Sequence, residues 1–155
     1  MGSPVALAFL EHLHTDNVVN GDPSWPVCAA EKLRVVDVPG KGRGVVASRD
    51  LRAGELIEVA PVIVLGAAGK AALSTTILDH YGYDWFADGT GLAVALGYGS
   101  LYNHSFAPNA IYKKSFNNST IEYRALIDVA AHVEICINYN GDPNDRTPLW
   151  FDVVA

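Results

Sequence analysis

The residues best suited to chemistry in this 155-residue chain are concentrated in one stretch, GYGSLYNHSFAPNAIY, residues 97–112. The stretch contains Asn103, His104 and three tyrosines, Tyr98, Tyr102 and Tyr112. A core strand is typically richer in Val, Ile and Leu, and a surface loop carries fewer aromatic residues. We therefore interpret this stretch as one wall of a pocket and expect other segments to supply the remaining walls.

The pair Asn103–His104 does not match the common hydrolytic or metal sites. No Asp and Ser stand at triad spacing from His104, and Ser105 lies in no nucleophile elbow. The five histidines show no metal-ligand spacing apart from His12-x-His14, so we predict no metal centre. A buried Asn–His pair usually bonds to the backbone, and a structural role remains open on these residues alone.

A second candidate is the glycine-rich segment PGKGRG, residues 39–44. Three glycines in six residues let a ligand approach the backbone closely. The alternative is a tight hairpin turn with basic residues in solvent. The segment lacks the Gly-Lys-Ser/Thr ending of a phosphate loop and the spacing of a dinucleotide-binding fingerprint.

A third candidate is ICINYNGD, residues 135–142, in which Tyr139 stands between two asparagines. Taken alone, Tyr139 fits a core or edge residue as well as a channel wall.

These segments must be positioned by short strands, since turn residues interrupt the chain frequently and no repeat or linker divides it. We predict a positive φ at Gly54 and a strand bent or ended by Pro61. The pattern predicts strands over residues 32–38, 45–50, 56–65 and 135–140, two strands around the turn SFNNST, and short helices over residues 6–14 and 70–80.

Considered together and in order, the three candidates resemble the SET domain family. PGKGRG contains a match to the family's GxGRG turn, NHSFAPNA (residues 103–110) closely resembles its NHSxxPN motif, and RALIDVAAHVEICINYNGD (residues 124–142) resembles its closing segment. ASRDLRAGELI (residues 47–57) is similar to the strand and turn that follow the glycines, and ALGYGSLYNHS is similar to small viral and bacterial stand-alone SET proteins. The resemblance covers residues 32–142.

The resemblance implies a mainly β fold of small, β-clip-like sheets with a C-terminal pseudoknot and little helix. It also implies methyl transfer from S-adenosylmethionine to a protein lysine, with the cofactor and the lysine entering from opposite faces. Tyr139 matches the family's catalytic tyrosine, and Tyr112 matches a tyrosine of the lysine channel. The residues implied to bind the cofactor are Lys41, Gly42, Arg43, Gly44, Asn103 and His104.

The chain departs from the family pattern at the turn Ala131-His132-Val133-Glu134, where a GEE sequence is usual. A positive φ at the lost glycine would strain His132, and Glu134 is expected to remain the polar anchor of the turn. A further channel tyrosine is missing around Val59, so the number of methyl groups added stays open. A catalytically weak module that binds cofactor or peptide is the alternative function.

The bulk properties are compatible with this reading. We expect an N-terminal extension (residues 1–31), a SET domain (32–142) and an aromatic tail (143–155), in which Trp150 and Phe151 either close a groove or pack in the core. The net charge of −6 favours a basic, lysine-bearing protein partner over nucleic acid. Cys28 and Cys136 suggest no disulfide framework. The chain lacks an apolar run of membrane-spanning length, so we expect an intracellular, cytoplasmic protein, with a homodimer as one option.

Overall fold

The computed structural model of the protein describes residues 31–86 and 88–153. These residues form β1 (Leu33–Val38), β2 (Gly42–Ala47), β3 (Leu56–Leu65), β4 (Gly82–Trp85), β5 (Gly91–Ala95), β6 (Asn103–His104), β7 (Ala110–Ser115), β8 (Thr120–Ala125) and β9 (Cys136–Ile137). The helix α1 spans Ala67–Leu73, and two 3-10 helices span Ile77–Tyr81 and Gly99–Leu101. The predicted mainly β fold with little helix is confirmed.

The strands form three sheets. β1 and β2 make an antiparallel hairpin, β4-β5-β3-β8-β7 make a five-stranded antiparallel sheet, and β6 pairs with β9 in parallel. Strand β3 pairs with β8 up to Pro61 and with β5 from Val62 onwards. Proline lacks the N–H that would continue a ladder, and the strand changes partner after Pro61 instead of ending there.

The hairpin of β1 and β2 begins closer to the glycines than the sequence pattern predicts. Gly40 and Gly42 both have a φ of 77°, a conformation that few other residues adopt. The turn is therefore tight enough for Gly42 to pair already with Val38. The prediction of a strand over residues 45–50 is corrected to Gly42–Ala47.

The predicted helix over residues 70–80 is only partly confirmed, because α1 ends at Leu73 and a separate 3-10 helix starts at Ile77. The Ser74 hydroxyl donates to the Ala71 carbonyl at 2.8 Å, and the Thr76 hydroxyl donates to the Leu73 carbonyl at 2.9 Å. Such local bonds compete with a continuing helix. The short strand β4, which follows, was not predicted.

The remaining sequence predictions have mixed outcomes. The strands β1, β3, β7 and β8 lie where they were expected, and Gly54 has the predicted positive φ of 79°. The last strand is shorter than residues 135–140, since only Cys136–Ile137 pairs with β6. The short helix over residues 6–14, His12, His14 and Cys28 lie outside the described residues, as does nearly all of the predicted extension.

The C-terminal segment runs against the segment 103–109, which is the contact that the predicted pseudoknot requires. The parallel pairing joins Asn103 to Cys136 and His104 to Ile137. The Asn109 side chain completes it: its amide nitrogen donates to the Glu134 carbonyl at 2.7 Å, and its oxygen accepts from the Cys136 N–H at 2.9 Å.

The core lies between the five-stranded sheet and this C-terminal segment. Its fully buried side chains include Leu51, Trp85, Tyr102, Ile121, Tyr123, Ile135 and Ile137. Two of them are tyrosines, so their hydroxyl groups need partners inside the protein. In the part of the chain that the structure describes, no helix is both long and apolar enough to span a bilayer.

Candidate active site

Two cavities meet beside the segment 97–112. The smaller cavity has a volume of about 510 Å³ and is lined by the glycine turn, Asn103 and His104. The larger cavity has a volume of about 1010 Å³, and its lining includes Tyr112 and several other tyrosines. Both cavities are lined by His80, Tyr81, Ser100, Tyr139 and Trp150. Tyr139 therefore stands at the junction of two separate binding spaces.

The glycine turn presents backbone to the smaller cavity. Residues 40–43 line the cavity directly, and nothing lies within 4 Å of the position that a Cβ on Gly42 would occupy. Gly44 does not line the cavity. A Cβ on Gly44 would lie 2.6 Å from Glu134 Oε1 and 2.8 Å from Asn103 Nδ2. Glycine is thus required at this position because two polar side chains pack against the backbone.

Asn103 lines the smaller cavity, and Glu134 forms a polar pair with it from outside the cavity lining. The Asn103 amide nitrogen donates to Glu134 Oε1 at 2.7 Å and to the Arg43 carbonyl at 3.3 Å. Lys41 Nζ lies 3.6 Å from Glu134 Oε2. The sequence predicted that Glu134 anchors its own turn. In the structure its side chain extends beyond that turn and connects the glycine turn to the segment 97–112.

The backbone of the substituted turn keeps a conformation that glycine favours. His132 has a φ of 68°, and its ring nitrogen lies 3.4 Å from the Arg34 guanidinium. The expected strain at His132 is therefore present, while Glu134 still reaches Asn103.

His104 is held in one tautomer by the backbone. Its Nδ1 accepts a hydrogen bond from the Tyr139 N–H at 3.2 Å, so a neutral ring carries its proton on Nε2. Nε2 is buried and has no partner among the described residues. Burial, and secondarily the charge of Lys41, lower the pKa of His104 below its ordinary value. The site therefore holds a neutral imidazole with an unpaired N–H donor.

The Tyr139 hydroxyl is held by the segment 97–112 at the junction of the two cavities. It donates to the Tyr102 carbonyl at 2.9 Å, which leaves its oxygen lone pairs available as acceptors. Burial raises the pKa of Tyr139 to about 12, so the phenol stays protonated near neutral pH.

The larger cavity is walled by phenol rings that pack against each other. The Tyr112 hydroxyl donates to the Tyr139 carbonyl at 3.4 Å, and its ring meets Tyr83 edge-on with centroids 5.2 Å apart. Burial raises the pKa of Tyr112 to about 12. The Lys114 ammonium lies 5.9 Å from the Tyr112 ring centroid. These rings make a cavity wall that can surround an alkyl chain or a cation.

Comparison with known proteins matches residues 42–140 to the SET domain family model. The histone-lysine N-methyltransferase of Schizosaccharomyces pombe described as specific for H3 lysine 37 is 36% identical over 121 residues, which cover 77% of each chain. The crystal structure of a proposed histone methyltransferase from Plasmodium falciparum is similar with a TM-score of 0.56 and 26% identity, covering 70% of this chain and 93% of that one.

The chain belongs to the SET domain family. The family resemblance seen in the sequence is confirmed, and so is the expected fold class.

Cavity-lining residues of this SET domain to which the sequence assigned no individual role include Tyr81, Tyr83 and Ser100. Tyr81 and Ser100 line both cavities, and Tyr83 lines the larger one. The Ser100 hydroxyl donates to the Tyr81 carbonyl at 2.8 Å and accepts from the Ala95 N–H at 3.0 Å, which fixes Tyr81 at the junction. The two closely spaced tyrosines in HYGYDW could have predicted these cavity-lining residues, since closely spaced aromatic residues also indicated the pocket wall at residues 97–112.

The tail aromatics of the SET domain lie over the site and not in the core. Trp150 is 68% exposed and stacks on Tyr139 with centroids 6.4 Å apart and an interplanar angle of 20°. Phe151 lines the smaller cavity and meets His104 edge-on. The sequence left open whether Trp150 and Phe151 close a groove or pack in the core, and the structure places them beside the groove.

Proposed function

We propose that this SET domain is an S-adenosylmethionine-dependent protein-lysine N-methyltransferase whose substrate is a lysine in a basic protein segment. The observation that carries the proposal is the meeting of two cavities at Tyr139, one with a polar, backbone-rich wall and one with a phenolic wall. Two ligands that enter separately can react at such a junction. The enzyme class agrees with the family and with the activity for which the fission-yeast relative is named.

The smaller cavity suits the cofactor in size and in chemistry. Its volume of about 510 Å³ lies within the usual range for small-molecule sites. The open backbone at Gly42 admits close approach. The Glu134 carboxylate lies behind Asn103, outside the cavity lining, and its negative charge can attract the ligand's ammonium group. The buried Nε2–H of His104 is a donor that lacks an acceptor among the described residues. The residues that would contact the ligand are Lys41, Gly42, Arg43, Asn103 and His104. Gly44 would act indirectly, because its lack of a side chain allows Glu134 and Asn103 to pack against the backbone.

When bound, S-adenosylmethionine would supply a methyl group on a sulfonium. The lysine ammonium would first release a proton to solvent, and the N–C bond would then form as the C–S bond breaks, with the electron pair of that bond remaining on sulfur. The remaining requirements fall on the protein. The lysine amine must be neutral, although a free lysine has a pKa of about 10.4. A phenolic channel removes water from the ammonium and thereby favours its neutral form.

Tyr139 is proposed to position the reacting groups and not to accept the amine proton. Its hydroxyl hydrogen is directed to the Tyr102 carbonyl, so its lone pairs can accept weak C–H hydrogen bonds from a polarised methyl group. Because the pKa of Tyr139 is raised to about 12, a phenolate base is rare near neutral pH. Alignment of nitrogen, methyl and sulfur can itself contribute several kcal/mol.

The substrate is proposed to be a basic, histone-like segment. The chain carries a net charge of −6, which attracts basic partners over long range. The fission-yeast relative is named for a histone lysine.

The alternative is a SET module that binds but does not turn over, and the substitutions at His132 and Val133 are the observation in its favour. Calorimetric titration with S-adenosylmethionine is the first test. We expect saturable one-to-one binding, and no detectable binding would refute both readings. Binding without methyl transfer to any lysine-bearing protein would support the module.

A further inference from the structure

A buried carboxylate lies directly behind the wall of the larger cavity. Glu58 is only 7% exposed, and it forms no ion pair with any of the described residues. Its strand β3 has a register irregularity between Leu56 and Glu58, so that Ile57 and Glu58 are both buried. A β-bulge re-aims side chains in this way, and here it directs an acid into the interior.

The hydrogen bonds around Glu58 are compatible with an ionised carboxylate. Its Oε1 accepts from the Tyr98 N–H at 2.9 Å, and its Oε2 accepts from the Tyr102 hydroxyl at 2.9 Å. Gly97 packs against Oε1 so closely that a Cβ there would collide with it. Oε1 thus faces a backbone donor, and Oε2 faces a hydroxyl that donates to the ionised carboxylate.

Holding this charge is unfavourable unless something compensates for it. Burial raises the pKa of Glu58 above its ordinary value, although the bonds from Tyr98 and Tyr102 oppose that shift. An unpaired buried charge is costly in a protein interior. Neither donor carries a full positive charge, so the negative charge of Glu58 is not neutralised by these hydrogen bonds. A cationic ligand nearby could neutralise it.

Tyr102 connects Glu58 to the reaction site. Its hydroxyl is bonded to Glu58, its residue lines the larger cavity, and its carbonyl accepts the hydrogen bond of Tyr139. Tyr102 is only 2% exposed and its ring packs on Tyr123 with centroids 4.8 Å apart, so the connection is rigid. One side chain therefore separates the carboxylate from the cavity junction.

We propose that Glu58 is a fixed counter-charge for the sulfonium of the bound cofactor, stabilising the positive charge that the sulfonium places beside Tyr139. This inference rests on the proposed function. The attacking amine is neutral, so the positive charge in the junction is that of the sulfonium before transfer and that of the methylated amine after transfer. The attraction of Glu58 for this charge is strong because the intervening medium is a buried aromatic layer and not water.

The test uses S-adenosylmethionine and S-adenosylhomocysteine, which differ by one methyl group and one positive charge. Their dissociation constants are measured by calorimetry for the wild type, Glu58→Gln and Glu122→Gln. The glutamine at position 58 keeps the shape, since its oxygen can accept from Tyr98 and its amide can donate to the Tyr102 oxygen. Glu122, a partly exposed acid paired with Arg124, provides the same change of charge away from the cavities.

We expect Glu58→Gln to weaken S-adenosylmethionine binding relative to S-adenosylhomocysteine by about fivefold to twentyfold, while Glu122→Gln leaves the ratio unchanged. An unchanged ratio in Glu58→Gln would overturn this proposal, even if both ligands bound more weakly. Failure of the wild type to bind S-adenosylmethionine would overturn the proposed function as well, so the two failures are distinguishable.

A second variant covers the case in which Glu58→Gln does not fold. Tyr102→Phe removes the donor to Oε2 but keeps the carbonyl that holds Tyr139. Loss of the donor favours the neutral carboxyl, so the affinity ratio should shift in the same direction by a smaller factor. A ratio equal to that of the wild type in folded Tyr102→Phe would count against the proposal.

Discussion

The hydroxyl of Tyr139 donates a hydrogen bond of 2.9 Å to the main-chain carbonyl of Tyr102. This bond joins the C-terminal segment to the segment 97–112 across 37 residues of sequence. It also fixes the phenol oxygen where the two cavities meet. The proposed chemistry of this SET domain depends on that placement.

Replacing Tyr139 with phenylalanine should lower turnover by about 100-fold, because one well-placed polar group at a reaction centre has this effect. Cofactor affinity should change little, since the ring still fills its space. Turnover is measured by mass spectrometry of a lysine substrate and affinity by calorimetry. Tyr98→Phe is the control, because Tyr98 lines neither cavity. Equal losses of turnover and affinity in Tyr139→Phe would indicate a structural role.

Replacing Asn103 with alanine should weaken cofactor binding by about 1–3 kcal/mol. The change removes the donor to Glu134 Oε1 and to the Arg43 carbonyl, and the carboxylate then loses its fixed orientation. Calorimetric titration measures the effect, with Asn117→Ala in the exposed turn after β7 as the control. A dissociation constant equal to that of the wild type would refute the placement of Asn103 in the cofactor site.

Lowering the pH should destabilise the fold through His104. The pKa of His104 is lowered on folding by burial and by the charge of Lys41, so the unfolded chain, with an ordinary pKa of about 6.5, binds more protons. The free energy of unfolding should therefore fall as the pH drops through about 6.5, and the loss is complete below the lowered pKa of the folded state. Urea unfolding of the wild type and His104→Gln at several pH values gives the comparison. Identical pH dependences would contradict this assignment.

Replacing His132 with glycine should raise the free energy of unfolding by about 1 kcal/mol, since the φ of 68° is strained for histidine and natural for glycine. Loss of the exposed contact with Arg34 offsets little of this gain. Chemical denaturation measures the difference, and turnover should not change. His132→Ala is the matched control, because it removes the contact but keeps the Cβ. A gain of equal size in both variants would exclude the backbone explanation.

The sequence identified the parts of the site that local motifs encode. The resemblance assigned Asn103, His104 and the residues around Gly42 to cofactor binding, and these residues line the smaller cavity, while Tyr139 lies at the junction. In these segments the residue types indicate the local structure. Glycine occurs where φ is positive, and asparagine occurs where a side chain forms hydrogen bonds to a neighbouring chain segment.

The sequence did not identify the residues whose positions depend on distant pairing. Tyr81 reaches the junction because Ser100, 19 residues later, holds its carbonyl. Glu58 is buried because of an irregularity in the pairing of β3 with β8, whereas strict alternation would place it opposite Ile57. Neither fact can be read from local periodicity, since each depends on a partner strand or on a helix remote in sequence.

Methyl transfer itself is the most direct test of the proposed function. The wild type and Tyr139→Phe are incubated with isotope-labelled S-adenosylmethionine and a panel of basic proteins that includes histone H3, and modified residues are located by mass spectrometry. We predict labelled methyl groups on lysine with the wild type and a loss of nearly all label with Tyr139→Phe. The absence of labelled lysine from every protein, under conditions in which the wild type binds S-adenosylmethionine, would contradict the proposed activity and leave a SET module that only binds.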